Sequence, residues 1–455
     1  MGSPKRRARW FIITILALTM TFTGAIAAAG AAAPGTTITS GLMTPRNIAF
    51  GPDGSLYIAE GGMGGDEKIT GAPDNPRAAG GSRGYTGQVS KVAPNGTKTV
   101  VAKGLPSYGG SEVVGPAGIV YANGAIWVVT GSLSFDLKLA PLTNEAAVVK
   151  IDPATGVVTK IADLGAYEAA NNPDGYSVNS NPYGMTLGSD GNLYVADAGA
   201  NTVYQVNPTT GAIKVAAVIP GVEVTKEDFP PGTFPPDVPF GNPERGNKAE
   251  VDPVPPSVAP GTDGSLYVTL LPGALLPNKA KVVRIAPNGT VSDVVSGLTT
   301  LVGSAVGPDG NLYFTSLTAG FAEACPPAPG SVYRVLPGGK FEVVATDLPF
   351  PNGITFDKAG SLYVAAYTIN PAPQPIGEVV RYDGIAKVAA PSPSAAPSAK
   401  PSPIPSPPPT GNGGALPGLP NTGAGGGGDT ALPLAGLLLA LALGGSLFAL
   451  RRRAL

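Results

Sequence analysis

The chain has 455 residues, a formal net charge of −1 and only 13% charged residues, a balance with no electrostatic footprint for nucleic acid. It contains no histidine, which excludes a Ser-His-Asp triad, a His general base and a His-ligated zinc or copper site. A lone cysteine, Cys325, excludes an internal disulfide framework, and 64 Gly with 50 Pro point to many turns.

Residues 1–33 read as a secretory signal peptide. Lys5, Arg6, Arg7 and Arg9 give a positive start, Trp10 to Phe22 an apolar stretch, and Ala25-Ile26-Ala27 a small-residue cleavage site. An uncleaved N-terminal membrane anchor is the bland alternative.

Residues 34–390 are organised by one recurring phrase. Gly51-Pro52-Asp53-Gly54-Ser55-Leu56-Tyr57-Ile58-Ala59-Glu60 predicts a tight turn at Asp53-Gly54 followed by an apolar strand. It returns around Asp190-Gly191, Asp263-Gly264, Asp309-Gly310 and Ala359-Gly360, and in degenerate form at Asn123-Gly124. Its aromatic falls at Tyr57, Trp127, Tyr194, Tyr267, Tyr313 and Tyr363. Each copy is followed by a second strand pair around a Gly-containing turn, as in Val89-Ser90-Lys91-Val92 with Asn95-Gly96. One unit is four antiparallel strands, and six units predict an all-β, six-bladed β-propeller. Strands apolar on both faces suit blades packed face to face, so the aromatics read as inter-blade core. Lys91, Lys150, Arg284, Arg334 and Arg381 read as outer-face residues with buried stems. Either Thr36-Thr37-Ile38-Thr39 or Ile385-Ala386-Lys387-Val388 could close the ring. Helical periodicity is absent except at the two chain ends.

Six blades need about 270 residues, so the surplus lies in loops 61–86, 131–145, 166–180, 220–256, 316–330 and 366–376. Each follows the second or fourth strand of its unit and should open on one rim, the usual place for binding. Loop drift is the alternative, since surface insertions carry little entropic penalty. Phe229, Phe234 and Phe240, set among prolines, make 220–256 the expected ligand or partner contact.

Residues 391–418 are a disordered Pro/Ser/Gly-rich stalk in composition. Residues 419–455 look like a sortase cell-wall sorting signal. Leu419-Pro420-Asn421-Thr422-Gly423 precedes a Gly-rich spacer, an apolar transmembrane helix over 431–450 and Arg451-Arg452-Arg453. The resemblance implies cleavage after Thr422 and its transfer to peptidoglycan, with sortase and peptidoglycan as partners. The expected location is the cell wall of a Gram-positive-type envelope, the chain spanning the membrane before sorting. A permanent membrane anchor, with the propeller outside, is the alternative.

Polar residues expected near the channel mouth are Arg46, Asn47, Asn181, Ser257 and Asn352. Glu60 and Asp197 close two second strands, and such oxygen ligands could hold calcium. Turn capping by Asn181 and Asn352, and loop bonding by Asp197, are the structural alternatives. Cys325 has no base partner nearby in sequence. Asn95-Gly-Thr and Asn288-Gly-Thr match glycosylation sequons but sit in hairpin turns.

Two resemblances bear on function. The Asn352-Gly353-Ile354 start and the Leu193-Tyr194-Val195-Ala196-Asp197 end are similar to gluconolactonase-like six-bladed propellers, and the fold to strictosidine-synthase-like ones. The former imply a channel metal held by Glu, Asn and Asp. The chain also resembles the ScyD/ScyE family of NHL-like propellers. That rests on Pro45-Arg46-Asn47-Ile48-Ala49-Phe50-Gly51-Pro52-Asp53-Gly54, Gly115-Pro116-Ala117-Gly118-Ile119, Asn181-Pro182-Tyr183-Gly184, Ala196-Asp197-Ala198-Gly199 and Pro253-Val254-Pro255-Pro256-Ser257-Val258-Ala259. It implies an exported six-bladed propeller without an assigned reaction. With no catalytic constellation visible, the expected function is a secreted, wall-anchored binding or scaffold module for an extracellular ligand. A calcium-dependent lactonase and a purely structural wall protein are the alternatives.

Overall fold

A computed structural model describes residues 35–70, 81–110, 112–229, 248–318, 329–369 and 374–387. The signal peptide, the stalk and the sorting tail with its transmembrane helix lie outside these residues, as do Phe234, Phe240 and Cys325. Among the described residues no helix is long and apolar enough to cross a membrane.

Six antiparallel sheets follow one another along the chain, each with four main strands, in sequence order from the axis outward in all but the sixth. The innermost strands are Pro45–Phe50, Pro116–Ala122, Pro182–Leu187, Ser257–Pro260, Leu301–Val306 and Ile354–Phe356. Each packs on the innermost strand of the next sheet, and the last packs on the first, which closes a six-bladed propeller. The first blade carries an additional short strand, Glu67–Lys68.

The ring is sealed by the N-terminal candidate. Thr36–Leu42 pairs with Gly377–Tyr382 and forms the outer strand of the sixth blade. Ile385 lies in a turn instead.

The repeated aromatic packs between blades, as its apolar strand predicts: Tyr57, Trp127 and Tyr313 are buried, and Tyr194, Tyr267 and Tyr363 are half-buried. Tyr57 packs on Tyr121 of the second blade, Tyr313 on Phe356 of the sixth and Tyr363 on Phe50 of the first, with ring centroids 5.3, 4.7 and 5.0 Å apart. A second-strand ring thus meets the innermost strand of the following blade. Such pairs contribute roughly 0.5–1.5 kcal/mol beyond their buried area.

The outer-face cations do more than snorkel. Lys91 reaches Asp53 at 2.9 Å and Arg284 reaches Asp263 at 2.5 Å, each cation pairing with the turn of its own blade. Lys91 and Lys150 also lie over the rings of Tyr57 and Trp127, at 5.6 and 5.7 Å.

Two expectations need correction. The turn at Asp53-Gly54 is not a two-residue hairpin. Gly51 N–H bonds Ser55 O and Gly54 N–H bonds Gly51 O, so the loop is Pro52-Asp53-Gly54. Only Gly54 has positive φ (78°), which makes a type I turn closed by a left-handed glycine. Proline fixes φ negative at residue 52, so the two-residue form is closed to this sequence. The degenerate copy is the one that takes it: Asn123 and Gly124 have φ of 52° and 72°, and Ala122 pairs with Ala125. Helices also occur within the propeller. Leu164–Asn171 is helical, with the Asp163 carboxylate capping Ala166 N–H at 2.9 Å, and Ser134–Leu137 forms one turn. The apolar stripe of Leu164–Asn171 spans barely two turns, too short for a helical period to show in the sequence.

The topology puts every long insertion on one face. Connections after second and fourth strands all emerge beside the starts of the innermost strands, and the short Gly turns occupy the opposite face. Within 220–256, Val222–Thr225 pairs with Lys248–Val251 as a two-stranded ribbon. Its Val222, Val224 and Val251 join the core between the third and fourth blades.

Candidate functional site

The innermost strands enter the ring through similar short phrases. Aligned on the turn that follows, Arg46, Ala117, Tyr183, Pro256, Val302 and Asn352 hold one position in six blades. The next residue is Gly118, Gly184, Gly303 or Gly353 in four of them. These glycines let neighbouring strands approach backbone to backbone. A Cβ on Gly303 would lie 2.1 Å from Asn352 O, and one on Gly353 would lie 2.5 Å from Asn47 Cα. Four of the six residues precede such a glycine, and all six stand at the starts of the innermost strands, on the side of the insertions.

Three of these side chains meet. Arg46 Nη1 donates to the Tyr183 hydroxyl at 2.6 Å, and Asn352 Nδ2 donates to the same oxygen at 2.5 Å. The Arg46 guanidinium carbon is 5.3 Å from the Tyr183 ring centroid, and Nη2 donates to Val113 O. The first, third and sixth blades are therefore bridged through one phenol oxygen. Arg46 and Asn352 are buried, and Asn352 Oδ1 has no hydrogen-bond partner. No carboxylate pairs with Arg46 among the described residues. Glu60, which stands opposite Pro45 in the register, turns its oxygens to Met43 N–H (2.6 Å), Gln88 Nε2 (2.9 Å) and the Ser90 hydroxyl.

The backbone holds these groups in place. Asn352 N–H bonds Ala365 O at 2.9 Å, and the Thr315 hydroxyl donates to Asn352 O at 2.8 Å while accepting from Gly303 N–H at 2.7 Å. Gly353 N–H bonds Arg46 O at 3.0 Å, locking the sixth blade to the first.

The other sequence candidates make none of these hydrogen bonds. Asn181 Oδ1 accepts Ser132 N–H at 3.1 Å. Ser257 exchanges a hydrogen bond with Ser304 at 2.8 Å, and Asn47 packs its backbone against Gly353. Asp197 accepts from the Ser180 hydroxyl (2.6 Å) and from the N–H groups of Asn181 (2.7 Å), Gly199 (3.1 Å) and Ala200 (3.1 Å). Burial outweighs these donors and pushes its carboxyl up to about 6. Glu60 and Asp197 thus each tie down loop backbone within their own blade. Among the described residues no three acids, thiols or imidazoles come together as a metal cluster. Phe229 is buried in the core beside the two-stranded ribbon.

Tyr183 was missed as a site residue. Its signal was present: Pro182-Tyr183-Gly184 occupies the same place in its repeat as Pro351-Asn352-Gly353 and Pro45-Arg46-Asn47.

No family model matches the chain, and no curated protein matches it in sequence. Solved structures similar to it include virginiamycin B lyase from Staphylococcus aureus, at 16% identity over 73% of this chain and 81% of that one, TM-score 0.38. A putative glucose dehydrogenase from Thermus thermophilus is 15% identical over 76% of this chain and 99% of its own, TM-score 0.45. A gluconolactonase from Xanthomonas campestris is 12% identical over 78% and 92%, TM-score 0.44.

Proposed function

We propose that the protein is an extracellular binding module that holds a small anionic ligand at the mouth of its propeller channel. One observation carries this reading: Arg46 is a buried cation on the ring axis with no ion-pair partner among the described residues. A buried charge without a counter-ion is unfavourable unless a ligand supplies one, and a guanidinium suits carboxylate or phosphate. Tyr183 and Asn352 stand beside it as neutral groups able to bond a ligand's hydroxyl or carbonyl.

The rest of the chain supplies the setting. The N-terminal signal, the stalk from 391 to 418 and Leu419-Pro420-Asn421-Thr422-Gly423 support export and sortase-mediated attachment to peptidoglycan. The ScyD/ScyE resemblance agrees with an exported propeller without an assigned reaction.

The test is calorimetric titration of the protein with inorganic phosphate, citrate and glucuronate. At least one should bind, and Arg46→Gln should weaken that binding at least tenfold with the fold intact by circular dichroism. Equal affinity in the variant, or no binding to any of the three, overturns the axial reading. Calcium-stimulated hydrolysis of gluconolactone would support an enzyme instead. For attachment, muramidase digestion should release the protein where detergent does not, and Thr422→Ala should reverse that pattern.

A further inference from the structure

The connection between the second and third blades contains buried oxygens that the fold leaves unmatched. Glu168 lies in helix Leu164–Asn171 and is fully buried. Its Oε2 accepts the Tyr204 hydroxyl at 2.8 Å, whereas its Oε1 has no hydrogen-bond partner. Two further acceptors in the same connection, Asn172 Oδ1 and Asn179 Oδ1, are also buried and unpartnered.

The three lie along one connection, between Asp163 and Pro182. Asn172 follows Glu168 by one helical turn, its N–H bonding Glu168 O at 2.8 Å. The Asn179 backbone N–H is directed at the Glu168 carboxyl as a donor. The amide orientations are fixed by their nitrogens. Asn172 Nδ2 donates to Tyr176 O at 2.7 Å and Asn179 Nδ2 to Asp136 Oδ1 at 3.1 Å. Turning either amide over would set oxygen against oxygen, so both Oδ1 atoms must face away from those partners. The local field is negative as well: Asp197 and Asp174 are the charges that act most on Glu168. Buried acceptors are normally paired, and three orphans in one short connection ask for a common partner.

We propose that Glu168, Asn172 and Asn179 bind a divalent cation of the calcium type. The donor set is all oxygen, one carboxylate with two amide carbonyls, which suits a hard cation with flexible coordination. One carboxylate gives modest affinity, on the order of 0.1–1 mM. The bound ion would stiffen the segment that leads through Ser180 and Asn181 to Tyr183.

The experiment uses the full chain, stripped with EDTA and titrated with calcium chloride. Thermal unfolding should shift upward with half-effect near that concentration, and terbium should show luminescence sensitised by tyrosine excitation. Glu168→Gln should abolish both responses. Asn179→Ala should weaken them at least fivefold and carries the comparison if the first variant does not fold. No calcium response in the wild-type protein at 10 mM, or equal responses in the variants, overturns the proposal. So does a crystal structure grown in calcium that places only a water among the three oxygens. Phosphate or citrate binding at Arg46 is measured separately, so loss of one site leaves the other standing.

Discussion

The guanidinium of Arg46 in the first blade reaches the phenol of Tyr183 in the third, 2.6 Å away, with Asn352 Nδ2 on the same oxygen. Removing that oxygen strands two donors. Tyr183→Phe should therefore destabilise the protein by roughly 1–3 kcal/mol. Because the loss is one of partnership, Arg46→Met in the Tyr183→Phe background should cost less than Arg46→Met alone. Urea unfolding of the two single variants and the double variant gives the coupling, and strict additivity would refute a shared contact.

Asp197 makes stability depend on pH. Its folded carboxyl is raised to about 6 from an ordinary value of 3.8, chiefly by burial. Between those values the folded protein keeps a proton that the unfolded chain has released. The stabilisation is fully present below pH 3.8 and is lost as pH rises through 6. The wild-type melting temperature should fall across that window by several degrees, for a change of about 3 kcal/mol. Asp197→Asn should flatten the slope, and an unchanged slope assigns it to another group.

Two kinds of glycine should respond differently to alanine. Gly191 has φ 78° and open space beyond its Cα, so Gly191→Ala carries only the left-handed backbone penalty, about 1 kcal/mol. Gly303→Ala would drive a methyl to 2.1 Å from Asn352 O, a backbone atom that can yield only if two blades part. Its loss should exceed roughly 3 kcal/mol. Chemical denaturation compares them, and equal losses would mean that the inner strands are not tightly packed.

The turn latches should matter little. The Lys91 and Asp53 side chains remain 28% and 51% exposed, so water screens their 2.9 Å pair. Lys91→Met should change stability by no more than about 0.5 kcal/mol. Lys91 holds the Asp53 carboxyl down at about 2, so the contribution is present above 3.8 and lost only as pH falls through 2. Thermal melts in low and high salt measure it, and a larger effect would point to the cation–π contact with Tyr57.

The ring was legible because each blade repeats its own core. Leu-Tyr-Val phrases carry their burial in their composition, and the short Gly turns carry the direction of the chain. The turn type is not legible from Asp53-Gly54 alone, because the ring of Pro52 decides the loop length. The axial cluster was half legible. Arg46 and Asn352 stand out as polar residues where chains enter a sheet, but only closure of the circle brings them onto Tyr183. Glu60 and Asp197 have the composition of metal ligands, yet their donors come from backbone N–H groups and neighbouring side chains that sequence does not localise. Glu168 gave no warning, since an acid in a short Ala-rich helix normally faces water.

The outer strand of the sixth blade leads to a last consequence. Thr37 bonds Glu378 at 3.2 Å across 341 residues, so among the described strands the first to be synthesised waits for the last before it has a partner. Until then a nascent molecule is an open arc with two bare sheet edges, prone to join its neighbours. Completion should be one late event governed by the meeting of distant segments. A chain lacking 35–42 should then populate soluble oligomers through its unsealed edges rather than simply melting earlier, which light scattering would register.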